Sequence, residues 1–406
     1  MEFTANLKIH TDMKQPFEPI EMALSERLEG VGEYYFSRKL REIDAMRAAG
    51  RRIISLGIGS PDRPPHPSVV EKLYEVALRD DTHAYQSYKG AAVLREAFSK
   101  WYADRYGVTL DPASEILPLI GSKEGLMHIC MTYLRRGDRV LIPNPGYPTY
   151  RSAVTLSGGE PVEYRLTAEG GWMPDLEDIE RNGLEHVRMM ILNYPQMPTG
   201  AVPTEEMFRG LVDFALRHRI MLVHDNPYSF VRNPHPMSLL AVDGARECAI
   251  ELNSLSKSHN MAGWRIGMIG GRREWIDQIL RFKSNMDSGQ FLPMQAAAAQ
   301  ALSLGDDWYE ELNSEYYARE EYGYRLLDAL GCNYRKGQAG LFIWASLPED
   351  FEGDCYAFSD RVLDRCGVFV TPGGIFGSEG NRYIRISLCV PRPMLEEAEG
   401  IVREKF

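Results

Sequence analysis

Apolar runs and amphipathic stretches take turns along the middle of the chain. Residues 116–120 are apolar, and a breaker-rich Gly121-Ser122-Lys123-Glu124-Gly125 follows. Apolar positions then recur at Leu126, Ile129, Cys130, Tyr133 and Leu134, a helical spacing that predicts a helix ending at Gly137. Further short apolar runs stand at 140–142, 189–192, 220–223 and 249–252, with a helix pattern at 207–216 between the second and third. Strands alternating with helices predict an α/β domain with a mostly parallel central sheet flanked by helices.

Three polar residues stand just past predicted strands: Asn193, Asp225 and Lys257. Each is 32 residues from the next. One strand–helix–strand step takes about 30 residues, so the interval is one such step each time. Ligands of open α/β sheets bind beyond the carboxyl ends of the strands. An amide, an acid and an amine would then converge on one crevice.

The flanks differ in texture. Residues up to about 30 have no clear period and read as an arm. The spacing of Phe36, Leu40, Ile43 and Met46 predicts a helix over 35–49, with Gly50 as its stop. A short strand at 53–56 runs into the turn Gly57-Ile58-Gly59-Ser60-Pro61-Asp62. Past Arg281, residues 283–289 read as a loop and 294–330 as helical. Strands at 341–344, 368–370 and 383–387 suit a smaller α+β domain. The expected division is an arm with part of the small domain over 1–60, a large α/β domain over 61–295, and a small C-terminal α+β domain over 296–406.

Composition narrows the partners. The chain has 406 residues, 44% hydrophobic and 25% charged, with a net charge of −11 and no long basic run, so nucleic acid is not an expected partner. The six cysteines are scattered without a C-x-x-C pair, which argues against a zinc site and suits a reducing compartment. No apolar run is long enough to span a membrane. The expectation is a cytoplasmic protein with no metal.

Taken singly, the candidate residues leave two readings open. Lys257, in Asn253-Ser254-Leu255-Ser256-Lys257, suits an exposed loop as well as a site. Asp225, before Asn226-Pro227, suits a surface turn. Together, and in this order, the motifs resemble the fold-type I pyridoxal-phosphate enzymes, in particular the class I/II aminotransferases, over about residues 55–387. Residues 283–295 look most like the branch containing alanine and LL-diaminopimelate aminotransferases.

The resemblance implies roles residue by residue. Lys257 matches the Schiff-base lysine, an amine that exchanges with the substrate amine and then moves a proton. Asp225 matches the carboxylate that faces the pyridine nitrogen, and Tyr228 the donor to the cofactor 3′-oxygen. Ser122 and Lys123, at a helix start where free N–H groups favour an anion, match phosphate binders, as do Ser254 and Arg265. Ser122 as a plain N-cap fits equally well. The flanking Gly263-Trp264 and Ile266-Gly267 suggest that Arg265 is not exposed. Tyr147 resembles the ring stacked on the pyridine. Tyr85 resembles the tyrosine that reaches the phosphate of a neighbouring subunit, which implies a homodimer with shared sites. Arg385 resembles the arginine that clamps the substrate α-carboxylate in two parallel hydrogen bonds, with Gly59 beside it.

One position departs from the family pattern. Asn-Pro-Thr-Gly is usual, but this chain has Met197-Pro198-Thr199-Gly200. A thioether accepts weakly and donates nothing. That leaves Tyr228 largely alone at the 3′-oxygen, and Asn193 or a water to serve the substrate carboxylate. The expected activity is amino transfer from an amino acid to a 2-oxo acid, 2-oxoglutarate being one candidate partner. A β-eliminating lyase on the same site and a non-catalytic regulator are the alternatives. Gly57-Ile58-Gly59 lacks a full dinucleotide fingerprint, and Pro61 stands where a helix should start.

Overall fold

A computed structural model describes residues 19–406 apart from Tyr34. Residues 1–18, most of the expected arm, lie outside the described residues. In chain order the first part carries α1 (Tyr35–Ala48), β1 (Ile54–Ser55), α2 (Pro67–Ala77), α3 (Ala92–Tyr106), β2 (Ile116–Leu119), α4 (Ser122–Tyr133), β3 (Arg139–Asn144), α5 (Thr149–Leu156) and β4 (Glu160–Arg165). Next come α6 (Leu176–Arg181), β5 (Val187–Leu192), α7 (Glu205–His218), β6 (Met221–Asp225), α8 (Ala245–Cys248), β7 (Ala249–Ser254), α9 (Leu255–Ser258) and β8 (Gly267–Gly270). The last part has α10 (Arg273–Lys283), α11 (Leu292–Leu302), α12 (Asp306–Ala329), β9 (Asn333–Tyr334), β10 (Phe342–Ser346), α13 (Cys355–Cys366), β11 (Val368–Phe369), β12 (Thr371–Pro372), β13 (Tyr383–Ser387) and α14 (Arg392–Lys405).

The central sheet has seven strands in the order β2-β8-β7-β6-β5-β3-β4. Neighbours from β7 to β4 are parallel, and β8 runs antiparallel to both β7 and β2. The inner parallel strands are buried on both faces because helices cover both, which is why they read as short apolar runs. Helix α7 illustrates the local logic. Thr204 caps it by accepting from the Met207 amide at 3.1 Å, Glu205 and Glu206 sit in the positive first turn, and Phe208, Leu211, Val212, Phe214 and Ala215 are buried.

Two strands of this sheet had no clear signal. In β8 (Gly-Met-Ile-Gly) the glycines suggest a loop, yet a Cβ at Gly267 would stand 2.8 Å from the Asn253 carbonyl and 3.0 Å from the Ser122 amide. Only glycine permits that approach. Strand β4 is an edge strand with Pro161 and three exposed residues, so its pattern is polar. The stretch expected to be helical over 294–330 is two helices, α11 and α12, broken at Ser303-Leu304-Gly305.

A second, antiparallel sheet has the order β12-β13-β10-β9, and β1 pairs in parallel with β11. Leu56 ties the two groups, its carbonyl accepting from the Ser387 amide at 2.7 Å. Met197 and Tyr228, from loops after β5 and β6, are buried in the same apolar cluster as Phe342, Ile384 and Val402. The loops of the large sheet are thereby packed against the strand carrying Arg385. Among the described residues no helix is long and apolar enough to cross a membrane.

Candidate active site

A cavity of about 340 Å³ opens between the two sheets. It is lined by eleven of the twelve residues singled out above: Gly59, Ser122, Lys123, Tyr147, Asn193, Asp225, Tyr228, Ser254, Lys257, Arg265 and Arg385. The twelfth, Tyr85, is 92% exposed and lies away from the cavity of its own chain.

Asp225 closes β6, so its side chain enters the cavity at the carboxyl end of a parallel strand. The Tyr150 hydroxyl donates to its Oδ2 at 2.8 Å, while its Oδ1 is buried and has no hydrogen-bond partner. Burial raises the Asp225 carboxyl to about 6, against the opposing pull of the Tyr150 hydrogen bond, His224 and Lys257. Burial also holds the Tyr228 phenol well above its ordinary value.

Lys257 sits on α9, the single turn that follows β7. Its Nζ donates to the Gly59 carbonyl at 2.5 Å. Burial pushes its pKa down, with Arg385 and Arg265 adding to the effect and Cys389 and Asp225 opposing it. A lysine with a lowered pKa has a larger neutral fraction, the form that acts as nucleophile and base. Gly59 is glycine for space, since a Cβ there would collide with the Phe342 ring.

At one end of the cavity, α4 begins at Ser122. The residue before it is Gly121, in the left-handed region at φ 84° and without a side-chain cap. Ser122 is therefore the first helical residue and not the cap, and the helix presents backbone N–H groups and the positive end of its dipole. A side chain at Gly121 would collide with the Arg265 guanidinium. Arg265 lies at φ 56°, and its Nη1 donates to the Ala262 carbonyl at 2.8 Å. Contrary to the expectation from its neighbours, Arg265 is exposed in this chain. Its flanking glycines and Trp264 make a turn that carries it to the rim, so apolar neighbours in sequence do not cover it in space.

The other end is apolar and dry. Arg385 is buried on β13, its Nη2 donating to the Gly57 carbonyl at 2.8 Å and its Nη1 to the Met197 sulfur at 3.2 Å. Its guanidinium carbon stands 3.8 Å from the Phe342 ring centroid and 4.6 Å from that of Phe376. The Asn193 amide bridges two loops, Nδ2 donating to the Asp225 carbonyl at 2.7 Å and Oδ1 accepting from the Met197 amide at 2.9 Å.

Sequence reasoning passed over Tyr150, Ser256, Phe36, Phe342 and Phe376. Tyr150 stands in the same Pro145–Tyr150 motif as Tyr147, three residues on and one helical turn away, which is the signal that could have found it. The three phenylalanines lie on α1, β10 and the turn after β12, and no local pattern ties them to Arg385.

The comparisons agree with this geometry. The model of the family described as aminotransferase class I and II matches residues 51–400. The LL-diaminopimelate aminotransferase of Dehalococcoides mccartyi is 40% identical over 381 residues, 93% of this chain and 97% of that protein. Among solved structures, substrate-bound BacF from Bacillus subtilis superposes with a TM-score of 0.90 at 35% identity, covering 95% of this chain and 98% of its own. An aromatic aminotransferase from Pyrococcus horikoshii does so with a TM-score of 0.83 at 29% identity, covering 94% and 98%. A matched family model over most of the chain, on a fold-type I architecture with an amine, a carboxylate and a guanidinium around one cavity, establishes that the chain belongs to the class I and II aminotransferases.

Proposed function

We propose that this aminotransferase holds pyridoxal 5′-phosphate on Lys257 and takes LL-diaminopimelate as amino donor, with 2-oxoglutarate as the partner 2-oxo acid. The observation that carries the cofactor reading is Asp225 Oδ1, a buried carboxylate oxygen without a protein partner in the wall of the cavity. An oxygen in that position calls for a positively charged N–H donor. The other donors suit the rest of the group: the start of α4 with Ser122, Lys123, Ser254 and Arg265 for a phosphate, Tyr228 for a phenolate oxygen, and Tyr147 for an aromatic face.

When bound, the cofactor supplies an aldehyde that exchanges with amines and a ring that accepts electrons from the substrate α-carbon. The chain's residues do the rest. Lys257 moves a proton at the α-carbon, from a site screened from bulk water. Asp225 keeps the ring nitrogen protonated, with Tyr150 fixing the direction of its carboxylate. Arg385 releases the Gly57 carbonyl and the Met197 sulfur to take a carboxylate in two parallel hydrogen bonds. The donor assignment follows the names of the relatives. Tyr85, exposed here, belongs to the site of a neighbouring copy in a homodimer.

The test is to purify the protein with pyridoxal phosphate and screen amino acids with 2-oxoglutarate, following glutamate. Glutamate formed from LL-diaminopimelate is the expected result. Pyruvate and ammonia released without an acceptor would make the enzyme a lyase instead. Sedimentation of the loaded protein as a monomer would remove the shared site.

A further inference from the structure

Behind Asp225 lies a buried polar cluster that the reaction does not touch. His224 and Asp225 are consecutive on β6, so their side chains leave opposite faces of the sheet. His224 and Glu251 are register partners on β6 and β7, and neither side chain has any exposure. The Glu251 carboxylate faces His224 Nδ1 at 2.8 Å, the Tyr102 hydroxyl at 2.9 Å, the Leu239 amide at 2.9 Å and the Ser238 hydroxyl at 2.9 and 3.0 Å. Its fifth neighbour is Asn226 Nδ2 at 3.4 Å.

Hydrogen-bond geometry constrains the ring. His224 Nε2 stands 2.9 Å from the Tyr194 carbonyl, which can only accept, so this nitrogen carries a hydrogen. Nδ1 faces the Glu251 carboxylate, so both ring nitrogens stand opposite acceptors. The other titratable groups facing the pair are Asp225 on β6 and Tyr102 and Tyr106 on α3, and burial keeps both phenols neutral. His224 favours the ionised form of Asp225.

The same cluster fixes position. Tyr194 and His224 are joined on one face, while Asn193 and the Asp225 carbonyl are joined on the other at 2.7 Å. Asn226 links Glu251 to the Met237 carbonyl, and so to the loop that carries Tyr228.

We propose that His224 is a positioning residue for the cofactor site: an imidazolium clamped between Glu251 and the Tyr194 carbonyl, it keeps Asp225 anionic and aimed into the cavity. This rests on the reading that Asp225 faces a cofactor nitrogen. Two measurements test it. In protein labelled with ¹⁵N-histidine, the His224 resonances, assigned from their loss in His224→Gln, should show both ring nitrogens protonated in the loaded enzyme. In His224→Gln and in the isosteric Glu251→Gln, pyridoxal phosphate affinity measured at a pH below the Asp225 pKa should fall roughly tenfold for each unit by which the Asp225 carboxyl rises. The acid limb of cofactor retention should move to higher pH. Tyr102→Phe removes a hydrogen bond to Glu251 without removing charge and should leave that limb in place. A neutral His224 ring, an unmoved limb in both charge variants, or an equal movement in Tyr102→Phe would overturn the proposal. Failure of the wild-type protein to take up pyridoxal phosphate would overturn the cofactor reading as well.

Discussion

The two ends of the cavity bind anions by opposite means. At the Ser122–Arg265 end the donors are a helix start, the Ser122 and Ser254 hydroxyls, and the exposed side chains of Lys123 and Arg265 at the rim. At the Arg385 end a single guanidinium is buried between the Phe342 and Phe376 rings and held by the Gly57 carbonyl and the Met197 sulfur. Many modest, screened contacts suit a group that stays. One buried cation held by a carbonyl and a thioether suits a group that comes and goes, because those two neutral acceptors yield readily to a carboxylate. On the proposed function, the contrast would account for a retained phosphate and an exchanging substrate at different ends.

The comparison can be broken by variants at each end and between them. The largest effect is expected midway, at Lys257. Lys257→Ala should lower the rate of amino transfer by about 10³ or more, the scale of losing both nucleophile and proton carrier. Retention of a tenth of wild-type turnover would remove Lys257 from the chemistry. At the dry end, Arg385→Lys keeps the charge and loses the paired geometry. The value of kcat/KM for the amino acid should drop roughly 10²-fold with cofactor affinity unchanged. An equal loss of cofactor affinity would mean that the two ends are not separate.

At the wet end, Arg265→Ala should weaken pyridoxal phosphate binding about tenfold and leave the amino-acid KM nearly unchanged. The deficit should shrink at high salt, where an exposed charge is screened. A salt-independent loss would place Arg265 in a dry site like that of Arg385.

A pH effect should follow from Asp225 in the cofactor-free protein. Its carboxyl is raised from 3.8 to about 6, so between these values the folded chain binds more protons than the unfolded one. The contribution of Asp225 to stability should therefore fall as pH rises from about 4 to about 6, and Asp225→Asn should flatten that part of the profile. Chemical denaturation at several pH values measures it, and a profile unchanged by the substitution would show Asp225 to be normally solvated. The smallest effect belongs to Met197→Asn, which restores an amide beside Arg385. A change of a few-fold in amino-acid KM is expected, and no change would make the thioether an equivalent neighbour for the guanidinium.

The sequence disclosed different things at different places. Asn193, Asp225 and Lys257 were legible because each stands at or just past the end of a strand of a parallel sheet at a regular interval, and topology sends all such ends to one side. Arg385 was legible as a cation in an apolar strand, but its collar was not, since Phe36, Phe342 and Phe376 come from three separate elements. Strand β8 was hidden by the glycines that let it pass Ser122 and Asn253. The exposure of Arg265 depends on a left-handed residue that turns the chain outward, which no neighbouring side chain signals. His224 fell just past the apolar run at 220–223 with no signal of its own, and only the register of β6 and β7 sets it against Glu251.

What the sequence determined by itself is the alternation of strand and helix, and with it the set of residues delivered to the strand ends. Period and chain order suffice for that, because the handedness and geometry of parallel units leave little choice. What the tertiary structure decided is the electrostatic character of each residue once delivered. Burial lowers Lys257 and raises Asp225, strand register sets His224 against Glu251, and packing of one sheet against the loops of the other buries Arg385. Those properties depend on neighbours up to hundreds of residues away in the chain, brought close by strand pairing within the large sheet and by the packing of the two sheets.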